Sequence, residues 1–79
     1  MTIRLFARLR DIAKSGDLSR EVPAGATVAH VWSVLVAEFP EMARYESSMS
    51  AAVNADYARM TASIADGDEV AFLPPVSGG

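Results

Sequence analysis

A chain of 79 residues supports one small domain, because a fold of this size buries only about 60–65% of the surface that its unfolded chain exposes. It contains no cysteine, which excludes disulfide bonds, a thiolate nucleophile and most zinc sites. The formal net charge is -3 and the seven Lys and Arg residues are scattered along the sequence, so no nucleic-acid partner is expected.

The first segment alternates between apolar and polar residues, which predicts a half-buried strand over residues 2–9. One face carries Ile3, Leu5, Ala7 and Leu9. Phe6 falls on the opposite, polar face, beside Arg4. Residues 10–16 contain a possible short turn of helix, and residues 18–22 can return as a second, antiparallel strand.

A helix is predicted after the break at Pro23. Thr27 is a suitable N-cap, and Pro40 ends the helix. Between them large apolar residues recur with helical spacing. They are Val28, Val31, Trp32, Leu35 and Phe39.

The remainder reads as short strands separated by turns. Residues 41–49 are interpreted as a loop with one further helical turn. Strands are predicted at 50–53, 57–60 and 69–73, with turns at 54–56 and 66–68. In the last strand the alternation places Val70 and Phe72 inward, and Ala71 and Leu73 outward.

This order predicts an α+β fold, a mixed sheet of four to five strands packed on one main helix. The domain should span residues 1–75, because Pro74 and Pro75 cannot donate hydrogen bonds to a sheet ladder and favour an extended chain. Residues 76–79 would then form a flexible tail. With no apolar run near the roughly 18 residues of a membrane span and no leader pattern, a cytoplasmic location without a membrane partner is expected.

Side-chain catalysis finds little support. The only histidine, His30, lies on the polar side of the predicted helix without a nucleophile or carboxylate nearby, and such residues are usually surface residues. Asp66, Asp68 and Glu69 lack the further ligands of a calcium loop and fit a turn better. No metal site is therefore predicted.

The final Gly78-Gly79 pair combines a reactive group with a means of delivering it. A terminal carboxylate that has been adenylated can accept sulfur, and the resulting thiocarboxylate is a nucleophile. Glycines suit this chemistry because they pass through narrow channels where a Cβ would not fit. A frayed or vector-derived terminus is the competing interpretation.

Three apolar residues are predicted on the outer side of the sheet, away from the helix. Phe6 and Leu73 lie there in this register, and Tyr57 joins them if the turn at 54–56 is placed correctly. Apolar groups gathered near a projecting tail suggest a partner surface. The competing explanation is that single exposed apolar residues are normal, or that the register is off by one.

The sequence resembles the small, ubiquitin-like subunit of molybdopterin synthase, also called the molybdopterin-converting factor small subunit. The resemblance rests on the end, Asp66-Gly67-Asp68-Glu69-Val70-Ala71-Phe72-Leu73-Pro74-Pro75-Val76-Ser77-Gly78-Gly79, on Ala51-Ala52-Val53-Asn54, and on Leu5-Phe6-Ala7 with Arg10-Asp11. It covers the whole length, although residues 14–49 match only in pattern.

The resemblance implies a β-grasp fold and a sulfur carrier that is not catalytic alone. An activating adenylyltransferase would use ATP to adenylate Gly79, and a sulfur donor would form the thiocarboxylate. The tail would then enter the large synthase subunit, with which the family likeness implies a heterotetramer, and pass sulfur to cyclic pyranopterin monophosphate. No permanently bound cofactor is implied.

Carried over by position, Gly79 is the carrier and Gly78 permits its passage. Phe6, Tyr57 and Leu73 would contribute apolar partner contacts. The segment Pro74, Pro75, Val76 and Ser77 would contact the partner along with them. Three alternatives stay open: a carrier for thiamine or transfer-RNA thiolation, a ubiquitin-like modifier of lysines, and a plain binding module.

Overall fold

The fold is that of a computed structural model, which describes residues 1–23 and 25–74. It is an α+β fold with one five-stranded sheet, as predicted. The strands are β1 (Thr2–Leu5), β2 (Asp17–Ser19), β3 (Ser50–Val53), β4 (Asp56–Ala58) and β5 (Glu69–Leu73). The helices are α1 (Ala7–Ala13), α2 (Val28–Glu38) and a 3₁₀ helix (Pro40–Tyr45).

The sheet is mixed, with the strand order β2-β1-β5-β3-β4. β5 lies in its centre, parallel to β1 and antiparallel to β3. The first and last strands of the described chain are therefore neighbours, and Leu5 pairs with Phe72. Both edges of the sheet are strands of three residues, which leaves little free backbone for unwanted pairing.

The predicted strand over residues 2–9 is wrong beyond Leu5. Phe6 stays extended, but Ala7 takes a positive φ of 51° and starts α1, whose first hydrogen bonds run from the N–H groups of Leu9 and Arg10 to the carbonyl of Phe6. Leu9 is fully buried from the helix rather than from a strand. The alternation failed because Leu9, Ile12 and Ala13 also have helical spacing, and tertiary burial selected that pattern.

The main helix matches its prediction. The Thr27 hydroxyl accepts a hydrogen bond from the His30 backbone N–H at 3.2 Å, so Thr27 is the N-cap, and α2 ends just before Phe39 and Pro40. The predicted apolar stripe forms most of the helix side of the core. Across it, the rings of Trp32 and Phe72 lie 5.1 Å apart at 52°, a favourable tilted arrangement.

Other element bounds shift by a few residues. β2 ends at Ser19 instead of reaching residue 22, and the predicted helical turn within 41–49 is the 3₁₀ helix, which buries Met42. β4 starts one residue early and ends at Ala58. Beyond it the chain turns towards α2, where the carbonyls of Met60 and Ala62 accept hydrogen bonds from the first turn of that helix.

The longest helix described, α2, has eleven residues. Within residues 1–23 and 25–74, no helix combines the length and the hydrophobicity that a membrane span requires.

Candidate partner surface at the carboxyl end of β5

The end of β5 is held between two strands. Phe72 pairs with Leu5 on one side, and Leu73 pairs with Ser50 on the other. Since β1 and β5 are parallel, the chain after Leu73 leaves the sheet at the same end where α1 begins. We call this the exit end, formed by the last residues of β5, α1 and the 3₁₀ helix.

Residues on β5 alternate as predicted. Val70 and Phe72 are fully buried against the helix side, whereas Ala71 and Leu73 face outward and are half-buried. The pattern arises because successive side chains of a strand point to opposite faces. The register of the last strand is therefore confirmed, and Leu73 lies on the outer face just before Pro74, itself half-buried.

Phe6 shares this outer face, as predicted. Its backbone is extended, so it points to the side opposite Leu5, and it keeps 39% of its surface exposed. The guanidinium carbon of Arg4 lies 5.9 Å from the centre of its ring, within the range of a cation–π contact. Phe6 thus flanks the position where the chain leaves the sheet.

Tyr57 lies on the same face but at the far edge of the sheet. It pairs with Ala52, which in turn pairs with Ala71, and Ala71 pairs with Arg4. Tyr57 is 83% exposed, whereas Ala52 is only 8% exposed. The two alanines make the middle of the outer face lower than its flanks, so Phe6 and Tyr57 border a shallow strip that ends at Leu73.

Arg4 is one of the charged residues of the outer face. Its Nε lies 3.1 Å from Asp17 Oδ1, and its Nη1 lies 3.9 Å from Glu69 Oε2. The three side chains are between 44% and 70% exposed, so these ion pairs contribute little to stability. Their effect is to neutralise Arg4 and hold it beside the Phe6 ring.

The residues that would carry the chemistry follow Pro74. Pro75, Val76, Ser77, Gly78 and Gly79 lie outside the described residues. The predicted domain limit and the predicted tail lie there too, and both stay predictions. The last described residue, Pro74, follows Leu73, whose partner in the sheet is Ser50 at the exit end.

The family model described as the ThiS family matches residues 3–79. The chain belongs to the ThiS family. A protein of Arabidopsis thaliana named molybdopterin synthase sulfur carrier subunit is 35% identical over 77 residues, covering 98% of this chain and 80% of that protein. One of the same name from Chlamydomonas reinhardtii is 32% identical over 76 residues, covering 94% and 92%. The resemblance drawn from the sequence is confirmed.

Among solved structures, SAMP1 of Haloferax volcanii, a small archaeal modifier protein, superposes with a TM-score of 0.86 at 31% identity. The alignment covers 99% of this chain and 97% of that one. The fold of this ThiS-family chain is the ubiquitin-like β-grasp, as predicted.

At the other end of β5, this ThiS-family chain has a polar clamp made of Asn54, Asp68 and Glu69. The backbone N–H of Asn54 donates to the carbonyl of Glu69, and Asn54 Oδ1 accepts from the backbone N–H of Glu69. Asn54 Nδ2 donates to Asp68 Oδ1 at 3.0 Å. Asp68 Oδ2 accepts from the backbone N–H of Ala65 at 2.8 Å. These hydrogen bonds, that from Ala65 first, hold the pKa of Asp68 below its usual value.

The clamp explains why the sequence around Asp66-Gly67-Asp68 is a turn, as predicted, with Gly67 at a φ of 85°. Sequence reasoning missed the part played by Asn54, although a turn-forming Asn beside a strand was a usable signal. In the described part of the chain no three His, Asp or Glu residues are grouped to hold a metal ion. His30 is exposed on α2, as the sequence indicated.

Proposed function

We propose that this ThiS-family chain is the sulfur-carrying small subunit of molybdopterin synthase, acting in the cytoplasm with the carboxylate of Gly79 as its working group. The observation that carries the proposal is the exit end. There the central strand of a β-grasp domain ends at half-buried Leu73, beside the exposed ring of Phe6, and Pro74 follows. The family match that runs through both final glycines supports it.

The chemistry begins with activation, because a carboxylate is a poor electrophile. In a partner enzyme, a carboxylate oxygen of Gly79 attacks the α-phosphorus of ATP, and pyrophosphate leaves. Hydrosulfide or an equivalent donor then attacks the carbonyl carbon, loses its proton, and AMP leaves with the electron pair of the C–O bond. The product is a thiocarboxylate on Gly79, whose sulfur is the nucleophile for the next transfer.

The body of the domain holds and directs the tail. Phe6, Tyr57 and Leu73 would contact a partner through the outer face, and their exposed apolar surface suits a partner interface. Pro74, Pro75, Val76 and Ser77 would span from that contact into the partner's channel. Gly78 and Gly79 would reach the reacting centre, where the absence of a Cβ allows close approach.

Mass spectrometry of the intact chain tests the carrier function. After incubation with its activating enzyme, ATP and sulfide, the mass should shift by the exchange of one oxygen for sulfur, with the change located at Gly79. A variant that lacks Gly79 should show no shift. Its unfolding, followed by the fluorescence of the single tryptophan, Trp32, should match that of the unmodified chain.

The pathway needs a second test. Loaded carrier, mixed with the large synthase subunit and cyclic pyranopterin monophosphate, should lose its sulfur and yield the dithiolene product. Persistent thiocarboxylate without that product would instead favour a carrier for thiamine or transfer-RNA thiolation. A variant without Gly79 that still supplies sulfur would overturn the proposal.

A protein modifier is the second candidate, favoured by the similarity to SAMP1 of Haloferax volcanii. Both functions use the same activated carboxylate, but a modifier forms an amide bond to a lysine amine. Lysine-linked adducts in the same incubation, in place of the thiocarboxylate, would decide for it.

A further inference from the structure

The basic residues, scattered in the sequence, are gathered by the fold. Five of the seven lie at the exit end: three on α1 or its C-cap, one on the 3₁₀ helix and one just after β4. Arg59 belongs to this set because Ala58 pairs with Ala51, which places the next residue beside Ser50. The five, which we call the exit-end cations, are Arg8, Arg10, Lys14, Arg44 and Arg59.

All five exit-end cations are exposed. Within residues 1–23 and 25–74, the ion pairs involve only Arg4 and Arg20, so none of the five is neutralised by a carboxylate contact. Arg8, Lys14 and Arg44 line one shallow groove of about 300 Å³ between α1 and the 3₁₀ helix. Asp11 and Glu41 share that groove and reduce its positive charge without removing it.

The opposite end of the sheet has the reverse charge. Asp56, Asp66, Asp68 and Glu69 lie around the start of β5 and the turn after β3. In a chain with a net charge of -3, the exit end therefore carries most of the basic residues, whereas the far end is mainly acidic. In an approaching partner's field, such a molecule experiences a torque that turns its exit end towards negative charge.

We infer that the exit-end cations dock against an acidic rim on the large synthase subunit, around the channel that receives the tail. The inference rests on the proposed function and adds the chemistry of the partner surface. The cations lie at the end of the sheet where β5 ends, so a protein that takes in the tail approaches the molecule from their side.

Nucleic acid fits this surface less well. Its affinity depends on many phosphate contacts, whereas here two carboxylates are interspersed with five cations, and the apolar groups Phe6 and Leu73 lie alongside. An acidic protein rim around an apolar contact matches that mixture, because charged rims around apolar centres are the usual composition of protein interfaces. Their main effect is on association rate and orientation.

Stopped-flow association with the large synthase subunit tests the inference. In the triple variant Arg8→Gln, Lys14→Gln and Arg44→Gln, the association rate at low salt should fall about tenfold, with a weaker salt dependence. A second variant adds Asp56→Asn and Asp66→Asn at the far end, and Glu21→Gln, which lines the same cavity as Asp66, and so restores the original net charge. Its association should stay slow, because the position of the charge matters.

Unchanged association in the triple variant, or full recovery in the charge-restored variant, would overturn the inference. So would a result in which duplex DNA binds tightly and the triple variant loses only that binding. Sulfur loading of the chain, measured at a saturating concentration of the activating enzyme, distinguishes failure of this inference from failure of the proposed carrier function. Normal loading with unchanged association rejects the acidic rim alone, whereas no loading of the unmodified chain rejects the carrier function.

Discussion

The two ends of β5 are built on different principles. At its start, the clamp joins the two turns by hydrogen bonds among Asn54, Asp68 and the backbone of Glu69. At its end, Phe6 and Leu73 keep apolar surface open, and the exit-end cations lack carboxylate partners among the described residues. β5 thus runs from an end whose polar groups hydrogen-bond to one another to an end whose apolar and basic groups are exposed.

The largest expected effect is a difference in stability between variants of two neighbours, Phe72 and Leu73, which point to opposite faces of β5. Phe72→Ala removes a fully buried ring packed on Trp32 and should cost about 3–5 kcal/mol of unfolding free energy. Leu73→Ala, on the outer face, should cost far less. Urea unfolding followed by tryptophan fluorescence measures both; equal losses would show that the outer face is part of the core.

The outer face gives the second prediction. Tyr57→Ala should leave the unfolding free energy within about 0.5 kcal/mol, because the ring is 83% exposed, yet weaken partner binding about tenfold if it is an interface anchor. Isothermal titration with the large subunit measures the affinity. Thr61→Ala, at an exposed position in the turn that follows β4, is the control and should change neither quantity.

The third prediction concerns the clamp. Asn54→Gly keeps the positive φ of 51° accessible but removes both side-chain hydrogen bonds, so stability should fall by about 1 kcal/mol. Thermal unfolding should register this as a drop of several degrees, while sulfur loading at saturating activating enzyme stays normal. Impaired loading in a folded Asn54→Gly chain would mean that the two ends are coupled.

The smallest effect concerns pH. Hydrogen bonds lower the pKa of folded Asp68 below its value in the unfolded chain, so its stabilisation is complete above the unfolded pKa, near 3.8, and is lost as the pH falls through the folded value. The stability difference between the unmodified chain and Asp68→Asn should therefore shrink below about pH 4. A stability difference that stays constant down to pH 2 would show that the effect does not depend on the charge of the Asp68 carboxylate.

The sequence predicted those parts of the fold in which local and tertiary signals agree. For α2, the cap Thr27, the apolar stripe and Pro40 all favoured one helix, and the alternation of β5 had no rival pattern. At Ala7 the two signals conflicted. No glycine or proline marked the turn, so the strand pattern was followed too far.

The candidate site was predictable only in part. The outward positions of Phe6, Tyr57 and Leu73 followed from strand alternation, and the structure confirms them. The gathering of Arg8 and Arg44 could not be seen, because it depends on α1 and the 3₁₀ helix meeting in space. For the same reason the clamp between Asn54 and Asp68 was missed.

The pairing of β1 with β5 also affects how the protein is made. Thr2 pairs with Glu69, and Leu5 with Phe72, so the central ladder of the sheet cannot close until the residues through Phe72 have left the ribosome. Contacts between such distant parts of a chain slow folding. An incomplete translation product would lack β5 and could not form the complete sheet. It therefore could not bind a partner protein without also having the tail that carries the sulfur.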